Sequence, residues 1–252
     1  MIRFTRLVPA VVLGIALAAC GDAPSPSPSA TTSATVAPAP TEEPGTAPAS
    51  PPATADEEGT PDGWRRTAVP EQGFSIAMPA EWQELSPDVL GDSASMDQLI
   101  EANPDAAEAL RQAFGALASG QIALFAFDST GDIDVTGFAT NLNVINVGPV
   151  EGTAEAAAEE VAESIRQQVP IVGEVEAETT TLPAGDAALL HYAWQIDDGA
   201  GTVTTVEVTQ YAIIAASGTG FILSMSALEG DAGVRAETFR LIAESIRELP
   251  PR

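Results

Sequence analysis

The chain has 252 residues, 45% of them hydrophobic and only 5% aromatic, with 36 acidic side chains against 10 basic ones and a formal charge of -26. That apolar fraction is enough for a core and that charge repels phosphate backbones, so wholesale disorder and nucleic-acid binding are both excluded. All ten basic residues are arginine, Cys20 is the only cysteine and His191 the only histidine, which removes internal disulfides, Cys-based zinc clusters, CxxC redox pairs and multi-histidine metal sites.

Residues 1–19 read as a secretory signal: Arg3 and Arg6 precede an apolar run from Leu7 to Ala18 that ends in small residues and is too short to span a bilayer. The stretch Leu17-Ala18-Ala19-Cys20, followed by Gly21, resembles the lipobox of bacterial lipoproteins. That resemblance implies that the Cys20 thiol carries diacylglycerol and becomes the new N-terminus. The alternatives are cleavage after the run Ala16-Leu17-Ala18, which would release a soluble protein, and an uncleaved anchor. Two acyl chains, at roughly 0.8 kcal/mol per buried methylene, hold a protein on a membrane where one chain exchanges off. The expected location is therefore the extracytoplasmic face of a cell membrane.

Residues 20–62 comprise Cys20 and a stalk. From Asp22 to Asp62 there is no aromatic and no basic residue, and ten of the 20 prolines fall there. Such a composition cannot bury enough apolar surface to offset its ordering entropy, so a disordered linker is expected, about 35 Å across as a coil and about 130 Å as extended polyproline II. A proline-rich ligand for an SH3-type groove would need basic flanks, which are missing.

Composition changes at Gly63-Trp64, and residues 63–252 read as one globular domain with eight arginines against 29 acids spread along it. Phe74, Ile76 and Met78 alternate with Ser75 and Ala77, a half-buried strand ending at Pro79, with Trp82 close behind. After Gly91 the spacing becomes helical, first Met96, Leu99 and Ile100, then Leu110, Phe114 and Leu117 beyond Asn103 as cap and Pro104 at the first helical position. Gln121 to Phe127 has apolar residues on both faces, as a covered central strand does, and Leu142 to Val147 is a further strand.

Thr153 is placed to cap a helix whose inner face is Ala154, Ala157, Val161 and Ile165 and whose outer face is Glu155, Glu159, Glu160 and Glu163, closed by Pro170. Three long β segments follow, Val175 to Leu182, Ala187 to Ile196 and Thr202 to Ala215, with Asp198-Gly199 as the hairpin signal between the last two. Ser217 to Gly220 turns the chain into Phe221 to Met225. A last helix, capped by Asp231, carries Phe239, Ile242 and Ile246 on one side, with Glu244 and Arg247 as a surface pair. The expected fold class is α+β: a twisted, largely antiparallel sheet of about seven strands with three or four helices on its faces.

Gly73-Phe74-Ser75-Ile76 with Pro79 and Trp82, Asn141-Leu142-Asn143-Val144, Gln210-Tyr211, and the Gly218 to Gly220 turn into Phe221-Ile222-Leu223 occur in an order similar to that of the PsbP-like superfamily, which includes LpqN-like and DcrB-like bacterial lipoproteins. The closing Ile242-Ala243-Glu244-Ser245-Ile246 completes the resemblance, which covers most of Trp64 to Leu249; at Ile246 the family often carries an aromatic. The resemblance implies an α/β/α sandwich working as an accessory or binding module, with no shared catalytic residues to carry over.

Chemistry is sparse. A serine nucleophile would need His191 as its base, no GxSxG surrounds any serine, and the alternation Leu190, Tyr192, Trp194 places His191 on the other face of its strand as an ordinary residue. Asp128, Thr130, Asp132 and Asp134 could gather oxygens round a hard cation, but Ile133 stands where an EF-hand loop needs glycine and Ala139 where it needs glutamate, so the run reads as an acidic solvated turn. P-loop chemistry lacks its lysine.

The reading is thus a non-enzymatic, lipid-anchored extracytoplasmic accessory or binding module. Its expected partners are the membrane, through the lipid on Cys20, and a protein or small apolar ligand, with no cofactor, no metal and no catalytic residue. A cell-surface hydrolase using a metal or paired carboxylates, and a structural spacer lipoprotein, are the competing readings.

Overall fold

The computed structural model describes residues 60–85, 122–130, 138–197 and 203–250. Cys20, the stalk up to residue 59, the helical spacing of 96–117, and the Asp198-Gly199 turn lie outside the described residues. Within them the chain forms β1 (Trp64–Val69), β2 (Phe74–Pro79), β3 (Trp82–Leu85), β4 (Leu124–Asp128), β5 (Asn141–Pro149), α1 (Ala154–Gln168), β6 (Ile171–Leu182), β7 (Gly185–Asp197), β8 (Val203–Ala215), β9 (Thr219–Leu228), α2 (Ala232–Ser245) and β10 (Arg247–Glu248).

Seven strands make one antiparallel sheet in the order β3-β4-β5-β9-β8-β7-β6. The other three form a second, small sheet, β1-β2-β10, which the single-sheet expectation did not contain. Residues 64–69 show no clean alternation, and their strand forms because Pro70 to Gly73 turns them back onto β2, with Gly73 at φ 76°. The expectation that β2 is half-buried is corrected: all six of its residues are buried. Phe74, Ile76 and Met78 enter the main core, while beside β2 the Ser245 hydroxyl at the end of α2 accepts from the Ala77 N–H at 2.8 Å and donates to the Ala77 carbonyl.

Alternation assigns each residue of the large sheet to one of two faces. On one lie Leu142 and Val144 of β5, Tyr211 and Ile213 of β8, and Leu223 and Met225 of β9, packed with Phe239, Ile242 and Ile246 and with the buried row of β2. Phe74 and Phe221 meet edge to face, centroids 5.5 Å apart. Ile246, where an aromatic is common in the family the sequence resembles, is fully buried. On the opposite face α1 lays Ala157, Ala158, Val161, Ala162 and Ile165 against Leu190, Tyr192, Val206 and Val208. The order of layers is therefore α1, large sheet, then α2 with the small sheet. Arg65 of β1 ties the small sheet to β3, reaching the Glu84 carboxylate and the Trp82 carbonyl, the latter at 2.7 Å.

The cap at Thr153 forms as expected, its hydroxyl accepting from the Ala156 N–H at 3.4 Å. Hydrogen bonding from the Thr153 side chain, and then from the backbone at Glu155 itself, holds the Glu155 carboxyl below its usual range. Two expectations for α2 are corrected. Asp231 stands at the N-cap position but is already in helical φ/ψ, so its side chain makes no capping bond. Glu244 does not pair with Arg247: its carboxylate meets Arg240 one turn earlier at 2.5 Å, and Arg247 turns back to the Glu244 carbonyl.

Candidate functional site

His191 lies exposed on β7, opposite Glu176 of β6 and Thr209 of β8, and its Nδ1 is 3.2 Å from the Thr209 hydroxyl. No serine stands in a bond with it among the described residues. The reading of Asp128 as part of a solvated turn is corrected. Asp128 is 1% exposed, and its Oδ1 accepts from the Thr130 N–H at 2.9 Å and hydroxyl at 2.6 Å. Its Oδ2 lies 2.6 Å from an Arg235 guanidinium nitrogen of α2, an ion pair without the alignment of a hydrogen bond. Asp132 and Asp134 lie outside the described residues. Both oxygens of Asp128 are thus engaged by the fold, and among the described residues no three His, Cys, Asp or Glu side chains gather for a metal ion.

The unusual chemistry is elsewhere, on the face of the large sheet that α1 partly covers. Register places Leu190, Gln210, Ser224, Asn143 and Phe125 in one row across β7, β8, β9, β5 and β4, and Val208, Ser226 and Asn141 in the next. Gln210, Ser224, Ser226, Asn141 and Asn143 are all at most 3% exposed. Gln210 Oε1 accepts from the Tyr192 hydroxyl at 3.1 Å and from Ser224 at 3.2 Å. Its Nε2 is buried without a partner, as are Asn143 Oδ1 and Asn141 Oδ1, although Asn141 Nδ2 donates to the Ala139 carbonyl at 2.9 Å. Leaving such atoms dry costs about 1–3 kcal/mol each, and native proteins tolerate few of them.

The row carries no charge. Burial pushes the Tyr192 phenol well above the ordinary tyrosine range, so it is a neutral donor. Phe125, Ile222 and Leu190, all buried, flank it on the same face, so the polar atoms sit within a largely apolar layer. Strand periodicity alone would have flagged these residues: Asn141, Asn143, Gln210, Ser224 and Ser226 fall at positions where a core strand ought to be apolar. A concavity of about 620 Å³, lined by Thr153, Thr179, Thr181 and Asp186, opens at the N-terminal end of α1 and has no part in the row.

No protein-family model and no curated protein matches the sequence. Among solved structures, the solution structure of cyanobacterial PsbP (CyanoP) from Synechocystis sp. PCC 6803 is similar at 13% identity and a TM-score of 0.44, covering 74% of this chain and 92% of that one. LpqN of Mycobacterium tuberculosis, described as involved in cell envelope biogenesis, is similar at 13% identity and a TM-score of 0.40, covering 75% and 87%. No residue role passes to this chain from either structure. Among the described residues no helix is long and apolar enough to cross a membrane.

Proposed function

We propose that this chain is a lipid-anchored extracytoplasmic binding module, without catalytic activity of its own, that takes a small uncharged polar molecule on the Gln210–Ser224–Asn143 face. The observation that carries the reading is the buried, unpartnered Gln210 Nε2 together with Asn143 Oδ1 and Asn141 Oδ1. A guest that accepts from the first and donates to the other two would satisfy all three. The flanking aromatic and aliphatic side chains would bury its apolar parts. Of the guests expected from the sequence, a protein or a small apolar ligand, a purely apolar one would leave these amides unsatisfied.

The reading also rests on the lipobox-like Leu17 to Cys20 and the stalk, which would place the module at a membrane with reach beyond its surface. A hydrolase built on the Asp128 loop is disfavoured by the Arg235 ion pair and the Thr130 hydrogen bonds, which already engage that carboxylate.

Native mass spectrometry of the full chain purified from its host, wild type against Asn143→Leu, tests the proposal. A defined small-molecule mass retained by the wild type and missing from the folded variant is expected. Identical masses for the two proteins, with only ordered water at Gln210 in a high-resolution structure, would overturn it. The same measurement reads the lipid on Cys20, and an unmodified thiol on the mature N-terminus would overturn the anchor.

A further inference from the structure

Two guanidinium groups in this strongly acidic chain have no carboxylate partner among the described residues. Arg66 sits on β1 opposite Ala77, and Arg247 on β10 opposite Ser75, so both lie with Ser75 on one face of the small sheet. They converge on the C-terminal end of α2: Arg66 Nη1 donates to the Ser245 carbonyl at 2.9 Å, and Arg247 Nη1 to the Glu244 and Ile246 carbonyls at 2.5 and 2.8 Å. Those carbonyls carry the negative end of the helix dipole and explain one cation. They do not explain two like charges side by side, since each disfavours the other. Burial, and then the charge of Arg247, holds the Arg66 guanidinium below its ordinary pKa.

Unspent donors remain on this face. Arg66 Nη2 is buried without a partner. The Ser75 and Thr60 hydroxyls each accept from Arg66, at 3.3 Å in both cases, and each keeps an O–H proton to donate. A cluster of unspent donors with excess positive charge is complementary to a group that only accepts.

We propose that Arg66, Arg247, Ser75 and Thr60 form a binding site for an oxyanion, a carboxylate or phosphate group. The anion has two possible sources, a free small molecule or the acidic run Asp56-Glu57-Glu58, which precedes Thr60 by two to four residues and is therefore at high effective concentration.

The test is calorimetric titration of the full chain with inorganic phosphate at low ionic strength, on the wild type and on a variant carrying Asp56→Asn, Glu57→Gln and Glu58→Gln. Saturable binding that Arg66→Gln or Arg247→Gln weakens at least about tenfold is expected in one of the two backgrounds. Binding in the wild type assigns the site to a free anion, and binding only in the charge-neutralised variant assigns it to the chain's own acids. Arg247→Gln removes only bonds from Nη1 and serves as the folded control if Arg66→Gln unfolds. No saturable heat in either background, or heat that neither arginine substitution changes, reduces the pair to helix caps and overturns the proposal.

Discussion

Asp128 at the end of β4 and Arg235 in the first turn of α2 stand 2.6 Å apart, and they join the large sheet to the helix that covers one of its faces. The carboxylate side chain is 2% exposed while the arginine is 32% exposed, so the pair is asymmetric: losing the arginine strands a buried charge, while losing the acid frees a cation that can reach water. Arg235→Leu is expected to destabilise the chain by about 2–3 kcal/mol in urea unfolding, and Asp128→Asn by less, because the amide can keep an acceptor for the Thr130 N–H. Equal and small losses would show that the pair holds nothing together.

Asn143→Leu is nearly isosteric and removes an unpartnered buried acceptor. The empty protein is expected to be unchanged or stabilised by about 1 kcal/mol, because an apolar group replaces an unmet polar one. A loss above about 2 kcal/mol in thermal unfolding would mean that the amide has a structural partner, and the binding face would lose its main support.

Stability should fall at alkaline pH. The Tyr192 phenol keeps its proton in the folded protein far above the ordinary tyrosine pKa, first because of burial, and Tyr211 is raised in the same direction for the same leading reason. Below about pH 10 both folded and unfolded chains hold these protons and nothing changes with pH. Above it the unfolded chain ionises first, so it binds fewer protons and the folded state loses ground until the folded phenols themselves titrate. Tyr192→Phe should flatten part of this slope while costing about 1 kcal/mol at neutral pH for the bond to Gln210. A slope between pH 10 and 12 that the substitution leaves intact would contradict the assignment.

Gly185 opens β7 at φ 155°, and a Cβ there would lie 2.0 Å from the Ile214 carbonyl oxygen of β8. The obstacle is backbone in a paired strand, which cannot step aside without opening the ladder. Gly185→Ala is expected to cost at least about 3 kcal/mol or to prevent folding, read as lost cooperativity in thermal unfolding. Gly63→Ala has open space around its Cβ and only its positive φ to oppose it, so it should cost about 1 kcal/mol.

Local signals carried much of this molecule. The spacing of Ala154, Ala157, Val161 and Ile165 behind Thr153 determined α1 and its buried face, and the glycine at 218 with the alternating runs around it determined the antiparallel β8-β9 hairpin, because caps, turns and periodicity are short-range properties of the backbone. The second sheet was invisible for the opposite reason: β10 is two residues long and exists only because the chain returns beside Ser75, and Arg66 meets the Ser245 carbonyl 179 positions away in sequence. Likewise, Asp128 as a written residue belongs to an acidic loop, and only the docking of α2 makes it a buried partner of Arg235. The polar row divides the same way. That Asn141, Asn143, Gln210, Ser224 and Ser226 interrupt apolar strands can be read from one dimension, but only strand order and register bring them side by side, since that juxtaposition depends on the pairing of β5 with β9 and β9 with β8 and on no property of any strand alone.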